Sequence, residues 1–156
     1  MILKKLFSIP EFRKSKIILF YASFDGEVDT FEMMKQALKL GKKIALPAII
    51  QKKKKIIPAL IQNPEHDLDL GPYGIKQPRF DKSRRIPLDE IDMVIVPGVA
   101  FDKRNYRLGR GEGYYDRFLK NLTHKIPSIG LAFDFQILDF LPIEKHDIPV
   151  SRIIVN

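Results

Sequence analysis

Between positions 107 and 116 the chain reads Arg107-Leu108-Gly109-Arg110-Gly111-Glu112-Gly113-Tyr114-Tyr115-Asp116. Glycines at alternate positions follow an apolar strand candidate (Asp92 to Pro97) and precede an amphipathic helix candidate (Tyr114 to Leu122), with two arginines in between. Such a stretch can build a phosphate cradle. Glycine admits positive φ and close backbone approach, so successive N–H groups can converge on an anion, and the helix N-terminus behind them adds partial positive charge. Arg107 and Arg110 add planar forks that match phosphate oxygens. The spacing is neither that of a dinucleotide fingerprint nor that of a Walker loop. By itself it also fits a glycine-rich surface loop capping a helix.

The elements that must hold this stretch alternate strand and helix. Lys16 to Tyr21 is a short β-branched and aromatic run, suited to a buried strand. The loop Ala22 to Val28 follows, and Asp29 or Thr30 is expected to cap a helix reaching Leu40, with Glu32 completing a capping box and Gly41 ending it. Lys43 to Leu46 reads as a strand stopped by Pro47, and Ala48 to Ile61 as a basic hairpin. The proline-rich span Asn63 to Pro87 is expected to be an extended traverse with little regular structure. Ile91 to Val96 has the uninterrupted apolar character of a central parallel strand. Tyr115, Phe118, Leu119 and Leu122 then share one helix face, followed by a strand from Ser128 to Phe133, a helical turn from Gln136 to Phe140 and a strand from Arg152 to Val155. This order predicts a single three-layer α/β domain with a largely parallel sheet. Ligands of such sheets bind at the carboxyl ends of the strands, so the loops after Tyr21, Val96 and Phe133 should meet at the site.

Composition narrows the chemistry. The 156 residues are 45% apolar and contain no cysteine, which excludes a disulfide framework and a thiolate nucleophile. No apolar run approaches membrane-spanning length and no signal peptide is evident, so a soluble cytoplasmic protein is expected. The net charge of +8 favours anionic partners of any kind. Its densest run, Lys52-Lys53-Lys54-Lys55, lies between Ile49-Ile50 and Ile56-Ile57 and reads as a solvated turn, with contact to a polyanion the lesser alternative. His66, His124 and His146 have no metal-ligand spacing.

Extended on both sides, the glycine stretch becomes far more specific. Val96-Pro97-Gly98-Val99-Ala100-Phe101-Asp102, the Arg-Leu-Gly loop and Gly113-Tyr114-Tyr115-Asp116-Arg117 closely resemble the signature of the 5-formyltetrahydrofolate cyclo-ligase family. Further motifs match in order: Tyr21-Ala22-Ser23 with Glu27 to Thr30, Gly74-Ile75-Lys76-Gln77-Pro78, Gly130 to Phe133 with Gln136, Leu141-Pro142, and His146-Asp147. The resemblance spans about Pro10 to Val155. It implies a fold similar to the ribose-phosphate isomerase and coenzyme A transferase class. It also implies an ATP- and magnesium-dependent cyclisation of 5-formyltetrahydrofolate to 5,10-methenyltetrahydrofolate; a monomer without nucleic-acid or membrane partners is expected.

Carried over by position, the resemblance puts nucleotide binding on Arg107, Leu108, Gly109, Arg110, Gly111, Glu112, Gly113, Tyr114 and Tyr115. Reduced folate would meet Ala22, Glu27 and the segment Arg110, Gly111, Glu112, Gly113 and Tyr114, with Arg110 and Tyr114 nearest the chemistry. Magnesium would be held by Asp116 and Asp147. Plainer roles exist for each acid: Asp116 can favour its helix dipole and pair with Lys120, Asp147 can initiate a turn, and Glu27 can be an ordinary loop carboxylate. Relatives start with a longer N-terminal helix whose basic residues reach the ATP phosphates, so the expectation here is that Lys4 or Lys5 substitutes, that the start codon is misplaced, or that nucleotide binding is weakened. Glu112 sets a negative charge where relatives commonly have glycine or lysine, Ser151 replaces a frequent Asp, and Asn105-Tyr106 replaces a common glycine turn. Two rival functions remain on sequence: a catalytically weak binder of nucleotide or folate, and a nucleic-acid-binding domain, which lacks an interleaved aromatic and basic stripe.

Overall fold

Residues along the strands alternate between two apolar faces, and each face is covered by helices, so the chain folds into three layers. A computed structural model describes residues 1–111, 113–122 and 126–156. In chain order the elements are α1 (Ile2–Ser8), α2 (Pro10–Lys14), β1 (Ile17–Leu19), α3 (Phe31–Lys39), β2 (Lys43–Ile50), β3 (Lys55–Ile61), β4 (Leu68–Leu70), β5 (Lys76–Pro78), β6 (Arg84–Arg85) and β7 (Met93–Val96). They continue as β8 (Ala100–Asp102), β9 (Arg107–Leu108), α4 (Tyr114–Asn121), β10 (Ser128–Ala132), β11 (Ile137–Leu138) and β12 (Arg152–Val155). The main sheet has seven strands in the order β12-β10-β7-β1-β2-β3-β6. Pairings from β12 through β2 are parallel, and β3 and β6 close the edge antiparallel.

Ile18, Phe20, Ile44, Met93, Ile95 and Ile129 face α1, α2 and α3, where Leu6, Phe12 and Met34 are fully buried. Leu19, Ala45, Val94 and Val96 face the other way, onto Phe118 and Leu119 of α4. This is the predicted α/β architecture with a largely parallel sheet. Phe101 lies wholly buried under two strand ends, where a Cβ on either Gly98 or Gly130 would come within 2.7 Å of its ring.

Several local expectations needed correction. Pro47 does not end β2, which runs on to Ile50 with Pro47 opposite Pro58 in the hairpin. Pairing with β1 reaches only Ala45, so Pro47 removes no hydrogen bond from that ladder. The proline-rich traverse is more regular than its composition suggests: β4 and β5 form a ribbon and β6 adds to the main sheet. The expected helical turn from Gln136 is instead a short 3-10 turn, Asp134–Gln136, leading into β11, which joins a second sheet of order β11-β8-β9. At α3 the capping oxygen is Asp29 Oδ1, which accepts from Phe31 N at 3.0 Å, while Glu32 accepts from Gln36 rather than closing a capping box. The Thr30 hydroxyl donates instead to Tyr21 O at 2.5 Å and fastens the loop from residue 22 to 28 to the end of β1. Asn105, standing where relatives have a glycine turn, takes the left-handed conformation such a turn requires (φ 71°), which asparagine tolerates.

Candidate functional site

The parallel strands end along one edge of the sheet, and there the loops after β1 and β7 open a cleft of about 750 Å³, within the usual range for small-molecule sites. The segment after β10 does not line it. Its Gln136 side chain donates to Gly98 O and Val99 O at 3.3 and 3.1 Å and so fixes the loop after β7 from behind.

Arg107 forms the innermost cationic wall. It is not part of a free loop, because β9 pairs with β8 and directs the side chain inward, where it is only 6% exposed. Its Nε donates to Pro97 O at 3.0 Å, its guanidinium lies 5.4 Å from the centre of the Tyr115 ring, and Nη1 is 4.0 Å from Asp116 Oδ1. Burial lowers the Arg107 pKa, opposed by the nearby Asp116, Tyr115, Glu27 and Asp147. The same burial raises the Tyr115 hydroxyl above its ordinary value, so this tyrosine stays neutral. Gly109 makes room for the arginine: a Cβ there would stand 2.8 Å from Nη2.

Beyond it Gly111 and Gly113 both take positive φ, 100° and 70°, turning the chain into α4. Arg110 reaches across the mouth of the cleft to the loop after β1. Its Nη2 donates to Phe24 O and Asp25 O at 3.4 and 3.3 Å, and lies 3.9 Å from Glu27 Oε2. Glu27 in turn accepts from Phe24 N at 2.8 Å, and burial raises its pKa despite that hydrogen bond and the two arginines. It is therefore a built part of the cleft rather than a solvated loop acid. Ala22 lies on the same wall.

Both adjacent tyrosines of α4 line the cleft. Tyr115 packs beside Arg107, and Tyr114 meets Tyr73 edge-on, with ring centres 6.3 Å apart and hydroxyls 3.5 Å apart. Asp116 makes its ion pair with Arg107, not with Lys120. Asp147 does form a turn, accepting from Glu144 N at 2.8 Å, and yet also lines the cleft. Asp116 and Asp147 both line the cleft near enough to Arg107 for their charges to act on it. Among the described residues no cluster of three or more His, Cys, Asp and Glu side chains forms a metal cage. Two carboxylates lining one cleft nevertheless fit a magnesium ion, which takes few protein oxygens and fills its other positions with water or phosphate.

Lys4 and Lys5 are not brought to the cleft. Ile2 and Leu6 bury the inner face of α1, and Lys5 Nζ is directed to Val155 O at 2.7 Å, at the far edge of the sheet. Lys4 is exposed on the same short helix. Glu112 and His124 lie outside the described residues. Tyr73, Lys76, Ile49 and Ile56 line the cleft without having been singled out. Tyr73 directly precedes the Gly-Ile-Lys-Gln-Pro motif and has positive φ, 63°. Gln77 of that motif accepts from Ile49 N at 3.2 Å, which ties the ribbon to the hairpin. The lysine run does form the turn of that hairpin, held beside α4 by Arg117 Nε donating to Lys54 O at 2.8 Å.

The sequence profile of the 5-formyltetrahydrofolate cyclo-ligase family matches residues 1–156. A 5-formyltetrahydrofolate cyclo-ligase of Escherichia coli is 33% identical over 151 residues, covering 96% of this chain and 83% of the relative. One from Haemophilus influenzae is 36% identical over 148 residues, covering 94% and 79%. The solved structure of Aquifex aeolicus 5,10-methenyltetrahydrofolate synthetase superposes with a TM-score of 0.83 at 37% identity, over 99% of this chain and 75% of that one. The synthetase of Mycoplasma pneumoniae gives 0.75 at 31% identity, over 98% and 81%.

Proposed function

Because the chain belongs to the 5-formyltetrahydrofolate cyclo-ligase family, we propose that this cleft cyclises 5-formyltetrahydrofolate to 5,10-methenyltetrahydrofolate, with ATP as co-substrate and ADP and phosphate as products. The observation that carries the proposal is the convergence of Arg107, Arg110, Glu27, Tyr114 and Tyr115 on one cleft at the carboxyl ends of β1 and β7.

The formamide carbon resists attack because its oxygen is a poor leaving group. Transfer of the γ-phosphoryl group to that oxygen releases ADP and creates a better one. The N10 amine then attacks the carbon and gives up its proton, and departure of phosphate leaves the methenyl cation. No side-chain nucleophile is needed, so the protein contributes positioning and charge neutralisation. Arg107 presents a desolvated guanidinium toward the phosphoryl group, strengthened by the low dielectric around it. Tyr114, Tyr115 and Tyr73 offer faces and edges for flat rings. Glu27 offers a carboxylate for ring N–H donors. A magnesium ion held by Asp116 and Asp147 would neutralise phosphate charge.

Mixing the protein with ATP, magnesium and 5-formyltetrahydrofolate should produce the absorbance of the methenyl product. Binding of ATP or folate with no product at saturating concentrations would make the protein a binding relative instead of an enzyme.

Arg110 now bonds two carbonyls and faces Glu27, and in the proposed complex it turns to the ligand. Arg110→Ala is expected to weaken ATP binding by about 1.5–3 kcal/mol, the scale of a hydrogen bond to a charged group. An unaltered ATP dissociation constant would remove Arg110 from the nucleotide site.

The lysine turn adjoins Ile49 and Ile56 of the cleft wall, so it can screen an anionic tail that leaves the cleft. Each exposed pair contributes roughly 1 kcal/mol or less, most at low salt. Changing Lys52, Lys53, Lys54 and Lys55 to Ser should raise KM for polyglutamyl folate more than for the monoglutamate at low ionic strength. Equal changes for both substrates would leave the turn as a solvated tip.

A further inference from the structure

The segment Leu141 to Asp147 contributes six residues to the cleft wall, among them Asp147, yet it belongs to no helix or strand. What holds it is a network outside the cleft. Asp102 at the end of β8 is wholly buried, and each carboxylate oxygen accepts several hydrogen bonds. Oδ1 takes Arg104 N and Tyr106 N at 2.9 and 3.1 Å. Oδ2 takes Arg104 Nε and Nη2 at 3.1 and 2.7 Å and Leu141 N at 3.0 Å. Arg104 Nη2 also donates to Leu141 O at 2.7 Å, so Leu141 is gripped at both its N–H and its carbonyl. The guanidinium stacks on Phe140 at 3.6 Å, fixing the residue before. Three residues beyond the segment, Val150 N donates to Asn105 O at 2.8 Å.

One turn, residues 102–106, therefore holds the chain on both sides of Asp147, at Leu141 and at Val150. Burial alone would raise the Asp102 pKa, but the bonds from Leu141 N, Arg104 and Tyr106 N outweigh it and hold the group below its ordinary value, so it is a full anion. That matters for geometry. A charged carboxylate with this many donors has one orientation, and so has the arginine fork bound to it. Neither residue lines the cleft.

We propose that Asp102 and Arg104 are positioning residues for the active site: they set the place of Asp147, and hence the metal affinity of the nucleotide site, through Leu141. The inference rests on the magnesium role proposed for Asp147. Loss of the clamp should act as loss of a partner behind a metal ligand does, by about 10- to 100-fold in metal affinity.

The test uses Arg104→Ala, Asp102→Asn and the milder Arg104→Lys, with two readouts besides turnover. Manganese binding in the presence of a non-hydrolysable ATP analogue, followed by electron paramagnetic resonance, should weaken at least tenfold in Arg104→Ala. Affinity for the analogue measured in chelator should stay within about twofold. Hydrogen exchange should speed up at the hydrogen-bonded amides of Leu141, Glu144 and Asp147 while the amides of β7 and β10 keep their protection. Arg104→Lys, which retains a cation beside Asp102, should recover part of both effects. Unchanged manganese affinity and unchanged exchange at the amides of Leu141, Glu144 and Asp147 in folded Arg104→Ala or Asp102→Asn protein would overturn the proposal. So would exchange that rises equally across the whole sheet. If wild type binds manganese and the analogue but makes no methenyl product, the proposed reaction fails while the clamp is still judged by the same two readouts.

Discussion

Arg107→Ala is expected to lower formation of the methenyl product by roughly 10²- to 10³-fold, the loss seen when one preorganised electrostatic group is removed from a water-excluded site. The side chain meets the conditions for an effect of that size. It is almost fully buried, its Nε is fixed on Pro97 O, and its ring neighbour Tyr115 remains neutral, so no reorganisation is needed when charge develops. Arg107→Lys should recover only part of the rate, because an ammonium has no fork with which to hold Pro97 O and phosphate oxygen together. The deficit should lie in kcat. Arg110, at the exposed mouth, should act mainly on binding, so the two arginines are separable by kinetics. Arg107→Ala with kcat within threefold of wild type, at equal thermal stability, would remove the buried arginine from the chemistry.

Phe101→Ala should be the most damaging change to the fold, costing about 3–5 kcal/mol, as removal of a fully buried phenylalanine does. For a chain of this size that corresponds to a fall in Tm on the order of 10 °C. The ring fills the space left by the missing side chains of Gly98 and Gly130, so it joins the loop after β7 to β10 directly beneath the cleft. The converse change tests the same packing. Gly130→Ala puts a methyl group against the ring at 2.7 Å within a buried strand, and overpacking of this kind costs about 1–3 kcal/mol. Thermal melts of both variants that match wild type would show that the Gly98–Phe101–Gly130 stack does not hold the floor.

Much of this protein could be read from residues alone where the physics is local. Apolar runs such as Met93 to Val96 specify buried strands because both faces are covered, and the stripe containing Phe118 and Leu119 specifies a helix lying on the sheet. The motifs from Tyr21 to Asp147 named the family, and the glycines at 111 and 113 announced a turn into a helix through positive φ. What sequence could not supply was direction and partner. Arg107 and Arg110 look alike three residues apart; β9 pairing turns one inward beside Tyr115 and leaves the other at the mouth facing Glu27. Lys4 and Lys5 have the charge for phosphate, but burial of Ile2 and Leu6 fixes the roll of α1 and sends Lys5 to Val155 O. Asp102 looked like one more residue of a motif, and only the meeting of β8 with the segment at Leu141, 39 positions later, makes it a buried anion that holds a wall of the cleft. Local periodicity fixes which elements form, whereas long-range packing decides where each charge points, since a side chain's direction depends on neighbours distant in the chain.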